Sequence, residues 1–337
     1  MVGKNKKSIL ISCLLITSIL CGCATSKGVN STDSIKSKKV FQIGVTQIVE
    51  HPALDDARKG FIEALKSKGY EDGKNIKIDY QNAQGDIATT QSIAKNFVAQ
   101  NKDLILAIAT PSAQSALNAT KDIPIIITAV TDPVKSGLAK SMQNSGNNVT
   151  GTSDAVPISN QFELLKKLIP NAKKVGILYN TSESNSELQI NEAKNIAPNF
   201  NLEIVPVGIT SVNEATTALN TLLEKVDVLY TPTDNLVASS MPIIVEKCMS
   251  KNIPVIGSEK SHVSAGAIAT VGIDYFKLGF QTGLIAVEVI EGKKPSDIPL
   301  STLNEMQLVL NTDSIKKLNI KVPDDILSKA EKIGGSK

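Results

Sequence analysis

The chain has 337 residues, of which 42% are apolar, 20% are charged and 4% are aromatic. This length suggests about two domains of ordinary size, and the composition excludes a disordered chain, a collagen and a disulfide scaffold. The formal charge of +3 comes entirely from Lys4, Lys6 and Lys7, so the remaining chain holds 33 basic and 33 acidic residues. A formally neutral body has no global basic field with which to bind nucleic acid or a membrane surface.

The N-terminal segment is typical of an export signal. Its basic start is followed by an apolar stretch at residues 9–20, which has the length of a signal-peptide core and is too short to span a bilayer. The stretch ends in Leu20-Cys21-Gly22-Cys23, which resembles the bacterial lipobox, where small residues precede a cysteine that receives a lipid. We therefore predict that residues 1–22 are removed and that Cys23 becomes a lipidated N-terminus. An ordinary secretory signal cut nearby is the alternative.

The remaining cysteine and the segment after Cys23 fit an exported chain. Cys248 is then the single internal cysteine, so no internal disulfide can form, and the cysteines show no zinc spacing. Cys248 lies on one face of a predicted helix with Ile244 and Val245, which indicates a buried apolar role. After the lipidated cysteine, the segment 23–39 is rich in Ser, Thr, Asn, Gly and Lys and is predicted to form a flexible tether.

From residue 40 onward, short β-branched runs alternate with segments of helical periodicity. Residues 57–69 show this periodicity and end in a glycine, as helices often do, and the last long helix is predicted at residues 276–290. The predicted strands are residues 40–46, 76–80, 104–110, 123–130, 174–179, 202–209, 226–231, 254–257, 267–273 and 307–311. Strands that alternate with helices indicate parallel sheets with helices on both faces.

The pattern also repeats along the chain. Three matched pairs of positions occur in the same order: Gly44 with Gly176, Asp103 with Asp227, and Pro124 with Pro254. Their offsets of 132, 124 and 130 residues are nearly constant, which is improbable by chance. We therefore predict an α/β fold of two doubly wound parallel-sheet lobes.

The connections between the predicted lobes locate a binding site. Loops at the carboxyl edge of such a sheet bind ligands, so two facing lobes would bring two sets of loops onto one ligand. Residues 148–157 separate the repeats and are a candidate hinge, and the later elements allow three crossings between the lobes. We predict a first lobe of residues 40–153 and about 276–305, and a second lobe of residues 154–275 and about 306–330.

Several stretches carry a resemblance to a known family. The most telling ones are residues 43–47, 51–61, 109–114, 131–134 and 151–154. In these stretches the chain resembles the type I periplasmic substrate-binding proteins of ABC importers, and more closely the lipoprotein family for uptake of tryptophan, tyrosine or phenylalanine. The resemblance extends over nearly all of the mature chain.

The resemblance implies a function without catalysis. An amino acid-type ligand, above all tyrosine, tryptophan or phenylalanine, would be held in the interlobe cleft without a cofactor or a metal. An ABC permease and an ATPase would be the partners. The protein would face outward from a cell membrane that lacks a periplasm, as in Gram-positive importers, and only the Cys23 lipid would attach it.

In the first lobe, two loops offer candidate ligand groups. Thr110 suits an N-cap and Pro111 suits the first helical position, so free N–H groups and the hydroxyls of Thr110 and Ser112 are candidates for a substrate carboxylate. A plainly capped helix is the alternative. Thr131 and Asp132 end the next predicted strand, where Asp132 also resembles an N-cap.

Two further first-lobe candidates follow the first predicted strand. Gln47 and His51 are candidates for a hydrogen bond to a substituent on the ligand ring. The chain contains no Trp, so the stacked-indole clamp common around sugars cannot form.

The second lobe and the crossings supply candidates for the ligand ammonium. A buried ammonium is best held by one or two carboxylates and neutral acceptors, because an unpaired buried charge is costly. The acids of this kind are Asp234 and Glu259 on second-lobe loops, with Asp154 and Asp274 at the crossings. Asn180 and Asn235, beside Asp234, offer polar groups for the ammonium or for the second oxygen of the ligand carboxylate. Asp274 is alternatively a simple cap for the helix that follows it.

Other classes of function fit less well. The sequence has neither a Gly-x-Ser-x-Gly motif nor a phosphate-binding loop, and it has two histidines, so we predict no enzyme activity. A transcriptional regulator of this fold would begin with a basic helix-turn-helix, where this chain has a signal segment. The open alternatives are a surface sensor or adhesin without import, and a sugar or nucleoside ligand.

Overall fold

The computed structural model describes residues 40–335. The predicted signal segment, Cys23 and the tether lie outside the described residues. The strands are β1 (Phe41–Gln47), β2 (Ile76–Asn82), β3 (Leu104–Ile108), β4 (Ile125–Val130), β5 (Val149–Ser153), β6 (Lys174–Asn180), β7 (Glu203–Ile209), β8 (Val228–Thr231), β9 (Val255–Gly257), β10 (Ala269–Gly272), β11 (Ser301–Thr302), β12 (Gln307–Asn311) and β13 (Glu331–Ile333).

Helices follow most of the strands. They are α1 (Pro52–Ser67), α2 (Ile87–Ala99), α3 (Thr110–Ala119), α4 (Ile158–Leu168), α5 (Ser184–Ile196), α6 (Val212–Leu222), α7 (Asn235–Ser239), α8 (Met241–Ser250), α9 (Lys260–Ser264), α10 (Tyr275–Ile290), α11 (Thr312–Lys317) and α12 (Asp324–Leu327). Short 3-10 turns lie at Ala197–Phe200 and Pro295–Asp297.

The strands form two separate sheets. The first is six-stranded, with the order β11-β5-β4-β3-β1-β2, and the second is seven-stranded, with the order β13-β12-β10-β9-β8-β6-β7. Paired strands run parallel, except that β10 and β12 are antiparallel. We call each sheet with its helices the first lobe and the second lobe. The predicted α/β fold of two doubly wound parallel-sheet lobes is confirmed.

The sequence of the central strands explains their position. Every residue of β3 and β4 is buried, and both strands are nearly continuous apolar runs, as expected for parallel strands covered on both faces. In the second lobe, Phe162 packs edge-on against Tyr230 and Phe200 beneath the sheet. The two sheets thus have separate apolar cores.

The prediction that residues 148–157 form a hinge is wrong in part. Residues 149–153 form β5, which is fully buried and pairs with both β4 and β11. The sequence pattern missed this strand because its residues are Val, Thr, Gly, Thr and Ser rather than an apolar run. Segment 154–157, between β5 and α4, is therefore the connection to the second lobe.

Helix α10 returns the chain to the first lobe. It packs along α1 and against β4 and β5, and β11 then extends the first sheet before β12 enters the second. The two helices approach closely because Gly279 lies on the backbone of Ala57, and Gly60 lies on the backbone of Phe276. The chain thus passes between the two sheets after β5, before α10 and after β11.

Two smaller features bear on the predicted properties. Cys248 is buried on α8 with Ile244, as expected, and burial raises the pKa of its thiol to about 12. Within residues 40–335, no helix combines the length and the apolar character needed to cross a membrane.

Candidate functional site

A cavity lies between the two lobes, where the carboxyl ends of their strands meet. Its volume is about 10 Å³, far below the roughly 300–1,000 Å³ of ligand pockets, so the lobes must move apart to admit a ligand. The residues that line it are His51, Leu54, Ala129, Thr131, Asp154, Asn185, Thr233, Asp234, Asn235, Ala238, Glu259 and Tyr275. We call this space the interlobe cavity.

The charge of the interlobe cavity is unbalanced. Asp154, Asp234 and Glu259 supply three buried carboxyl groups, and the lining residues within the described part of the chain include no Lys or Arg. An ionised carboxylate buried without a partner is costly, so this arrangement favours a cationic group in the cavity.

Asp154 stands at the crossing from β5 to the second lobe. Its Oδ2 accepts a hydrogen bond of 2.8 Å from the hydroxyl of Tyr275, whereas its buried Oδ1 has no hydrogen-bond partner in the described residues. Burial raises the pKa of Asp154 to about 6. The hydrogen bond from Tyr275 opposes this shift, and the charge of Glu259 adds to it. The free oxygen is therefore suited to receive a donor from a ligand.

Glu259 precedes α9 and faces both histidines of the chain. Its Oε1 lies 3.1 Å from Nε2 of His262 and 3.9 Å from Nδ1 of His51. Burial works against its charge, but the charge and hydrogen bond of His262 hold the pKa of Glu259 down to about 2. Nδ1 of His262 lies 2.9 Å from the hydroxyl of Thr231, which fixes this ring in the second lobe.

A buried polar network supports the second-lobe wall. Glu183, just before α5, accepts hydrogen bonds from the side-chain amides of Asn180, Asn185 and Asn235. Burial and the neighbouring Asp234 raise the pKa of Glu183. Since three amides point at one carboxylate, their orientations are fixed.

Asp234 is the second carboxylate of this network. It caps α7 by accepting a bond from the Val237 backbone, and it also binds the Asn180 backbone and the Ser186 hydroxyl. Burial raises its pKa against these bonds. Asp234 is therefore already surrounded by donors from its own lobe.

Three polar contacts join the lobes around the cavity. Nε2 of His51 lies 3.4 Å from Oδ1 of Asn235, and the hydroxyls of Thr131 and Thr233 are also 3.4 Å apart. At one side, the side-chain amide of Gln114 donates to the Ser184 hydroxyl at 3.2 Å. These contacts hold the lobes in a closed arrangement.

Half of the predicted site residues line the interlobe cavity. These are His51, Thr131, Asp154, Asp234, Asn235 and Glu259. Asn180 lies behind the wall as a partner of Glu183. Gln47 is buried beside the first-lobe wall, where its amide donates to Asp55 and its Oε1 has no partner in the described residues.

The remaining predicted residues lie outside the cavity lining. Asp132 accepts a hydrogen bond from the Lys135 backbone, and Asp274 caps α10 by accepting one from the Lys277 backbone, which is the alternative considered for each. Thr110 and Ser112 lie in the first turn of α3, with buried hydroxyls that lack a partner within residues 40–335.

The prediction that Thr110 is the N-cap of α3 is wrong. The helix begins at Thr110 and Ala109 is its N-cap, with a φ of 74°, a conformation uncommon for a residue other than glycine. No side chain caps this helix end. The hydroxyl of Thr110 therefore does not cap α3.

Sequence reasoning missed Glu183, Asn185 and Tyr275 as site residues. Tyr275 follows the predicted cap Asp274, so its position at a lobe crossing was a usable signal. Glu183 ends the loop that follows β6 and Asn185 lies in the first turn of α5, but their importance depends on amide contacts between separate segments. Such contacts leave no local pattern in the sequence.

Two α/β lobes that close over a polar cavity define a ligand-binding protein of the periplasmic type. The chain belongs to the ABC transporter substrate-binding protein family, whose model matches residues 42–333. This finding confirms the resemblance predicted from the sequence.

Individual relatives extend over most of the chain. A tyrosine-binding protein of Clostridioides difficile (strain R20291) is 53% identical over 322 residues, which is 94% of this chain and 93% of the relative. An ABC domain from Streptococcus pneumonia, solved in complex with L-Trp, is 38% identical, with a TM-score of 0.84 over 87% of this chain and 99% of that one.

A third relative was solved without a ligand. This open substrate-binding protein with adhesive properties, from Clostridium difficile, is 49% identical over 88% of this chain and 100% of that one, with a TM-score of 0.67. It is more similar in sequence than the L-Trp complex but less similar in structure. This difference agrees with the closed arrangement of the lobes in the present structure.

Proposed function

We propose that the protein captures an aromatic amino acid in the interlobe cavity and presents it to an ABC permease and its ATPase. The observation that carries the proposal is the buried Oδ1 of Asp154, which has no partner among the described residues and faces a cavity lined by acids without Lys or Arg. An α-ammonium group supplies the missing positive charge and donors. The relatives named for tyrosine binding and solved with L-Trp support this ligand class.

The two ends of the ligand have different proposed partners. Asp154 and Glu259 hold the ammonium, with Asn235 and Asp234 behind them in the second-lobe wall. The carboxylate is assigned to the first turn of α3, where Thr110 and Ser112 have unpartnered buried hydroxyls. Gln47, Thr131 and Asp132 complete the first-lobe candidates, whereas Asn180 and Asp274 act on the site through the structure around it.

Binding works through closure of the lobes. A ligand that bonds to both walls stabilises the closed form over the open one by its differential affinity. His51 and Thr131 of the first lobe already contact Asn235 and Thr233 of the second. The closed form is then the state that the permease recognises.

A ligand screen tests the proposed class. With residues 24–337, we expect L-tyrosine, L-tryptophan or L-phenylalanine to raise the melting temperature, and a ligand at 100 times its dissociation constant adds about 2.7 kcal/mol. Tyramine, which lacks the carboxylate, should bind more weakly. 3-(4-Hydroxyphenyl)propionate, which lacks the ammonium, should bind weakest.

A response to sugars or nucleosides alone would contradict the amino acid class. Equal affinity for tyramine and tyrosine would contradict the site at Thr110 and Ser112.

Attachment to the membrane has its own test. We propose that a lipid on Cys23 anchors the protein to the outer face of a Gram-positive-type cell membrane, with residues 23–39 as tether. Changing Cys23→Ser should release the protein into the medium, because a single N-terminal lipid is the proposed anchor. Immunoblots of the cell and medium fractions measure this, with fatty-acid labelling as the second readout. Unchanged membrane association would refute the anchor.

A second candidate function is a surface sensor or adhesin without import. It is favoured by the 49% identical relative that is described as having adhesive properties. Deleting the gene should abolish uptake of labelled aromatic amino acid if the protein serves an importer. Unchanged uptake in the deletion strain would favour the sensor or adhesin.

A further inference from the structure

A chain of hydrogen bonds crosses from the second lobe to His51 in the first. The side-chain amide nitrogen of Asn235 donates to Oε2 of Glu183, and its backbone N–H points to the same oxygen at 3.5 Å. Because the amide nitrogen is turned to the carboxylate, the amide oxygen is turned to the other side, 3.4 Å from Nε2 of His51. An amide oxygen only accepts hydrogen bonds, so Nε2 of His51 must carry the proton.

The other nitrogen of the ring faces an acceptor. Nδ1 of His51 is buried without a hydrogen-bond partner in the described residues, and Oε1 of Glu259 lies 3.9 Å away. In a neutral ring with its proton on Nε2, Nδ1 is a lone pair. Nδ1 of His51 and Oε1 of Glu259 are then two acceptors that face each other, and a hydrogen-bond donor is needed between them.

We propose that the Glu183–Asn235 pair sets closed-state His51 as the neutral Nε2–H tautomer, so that Nδ1 accepts a hydrogen bond from the ligand ammonium, which it shares with Glu259. This inference rests on the proposed function, because the donor is the ammonium of the captured amino acid. Glu183 and Asn235 are positioning residues here, since they act on the ligand through His51.

The surroundings of His51 agree with a neutral ring. Burial lowers its pKa, and the nearby His262 lowers it further, against the opposing effects of Glu259, Asn235 and Asp55. Burial therefore outweighs the carboxylates that would favour an imidazolium. A neutral His51 cannot itself form an ion pair with Glu259, so the ligand has to supply the charge.

The arrangement also makes closure selective. Glu183, Asn235 and His51 thus form a hydrogen-bond relay to the ligand. His51 belongs to the first lobe, whereas Glu183, Asn235 and Glu259 belong to the second, so this relay is complete only when the lobes meet. A ligand without an N–H donor leaves Nδ1 and the Glu259 oxygen facing each other, which opposes closure. The relay thus favours ligands that carry a free amine.

Nitrogen NMR tests the relay directly, because the chain has two histidines and a His51→Gln spectrum assigns them. Long-range ¹H–¹⁵N spectra of ¹⁵N-labelled residues 24–337 with saturating L-tyrosine should show His51 as the Nε2–H tautomer. Without tyrosine, the ring should exchange between tautomers, since the open lobes separate it from Asn235. A bound His51 that is an imidazolium or an Nδ1–H tautomer would overturn the proposal.

A matched pair of variants separates positioning from structure. A glutamine side chain can also donate to Asn235, so Glu183→Gln should let that amide turn, mix the His51 tautomers and weaken tyrosine binding about tenfold. Glu187→Gln changes the same residue type one turn later on the exposed face of α5 and should alter neither. Normal tyrosine binding with unchanged His51 signals in Glu183→Gln would overturn the relay alone. No effect of tyrosine or any other aromatic amino acid on the wild-type spectrum would overturn the proposed function as well.

Discussion

Replacing Asp154 with Asn should weaken binding of the aromatic amino acid by about thirtyfold or more. The change keeps the shape of the side chain and the contact with the Tyr275 hydroxyl, but it removes the charge that the ammonium would face. Loss of one partner of a buried, hydrogen-bonded charge pair costs about 2–5 kcal/mol, much of it from the charge left behind. Isothermal titration calorimetry with L-tyrosine measures the effect.

Asp274→Asn is the matched control. Asp274 stands at the neighbouring crossing and was an equal candidate in the sequence, but its carboxylate accepts the Lys277 N–H at the start of α10. Asparagine caps helices about as well as aspartate, so this variant should bind tyrosine nearly as wild type does. Equal losses in the two variants, or no loss in Asp154→Asn, would refute the assignment of the ammonium to Asp154.

The fold was largely predictable from the sequence. Buried parallel strands such as β3 and β4 are long apolar runs, and the repeat of such runs predicted the two lobes before any contact was known. Strand β5 escaped because it is buried through small and hydroxyl-bearing residues, whose pattern resembles a loop. Strands β11 and β13, of two and three residues, are too short to have a periodicity.

The site was predictable in position but not in detail. The rule that ligands bind at carboxyl edges placed His51, Thr131 and Glu259 on the correct loops. It could not distinguish Asp154 from Asp274, because both are acids at lobe crossings and only their hydrogen bonds differ. That distinction depends on which backbone N–H groups lie nearby, and the sequence does not specify this locally.

The polar groups of the site explain why a cationic ligand would stabilise closure. The carboxyl groups of Asp154 and Glu259 face the cavity from the crossing and from the second lobe. Burial raises the pKa of Asp154, whereas His262 stabilises the Glu259 anion. Closing an empty site therefore removes an acid from water without giving it a cation. The ammonium of the proposed ligand would remove that cost, and its recognition would then be coupled to movement of the lobes.

Replacing Gly279 with Ala should lower the melting temperature of the ligand-free protein by about 2–12 °C. A Cβ at this position would meet the backbone of Ala57, which cannot move aside as a side chain can, so α10 must shift away from α1. Overpacking of this kind costs about 1–3 kcal/mol, and each kcal/mol shifts the melting temperature of a domain of this size by about 2–4 °C. Differential scanning calorimetry measures the change.

Glu288→Ala, on the exposed face of α10, is the control and should have little effect, because its ion pair with Lys293 is at the surface. Because Tyr275 begins the same helix and holds Asp154, the Gly279→Ala variant should also bind tyrosine more weakly. A variant with wild-type melting temperature would show that the α1–α10 contact is not as tight as the structure has it.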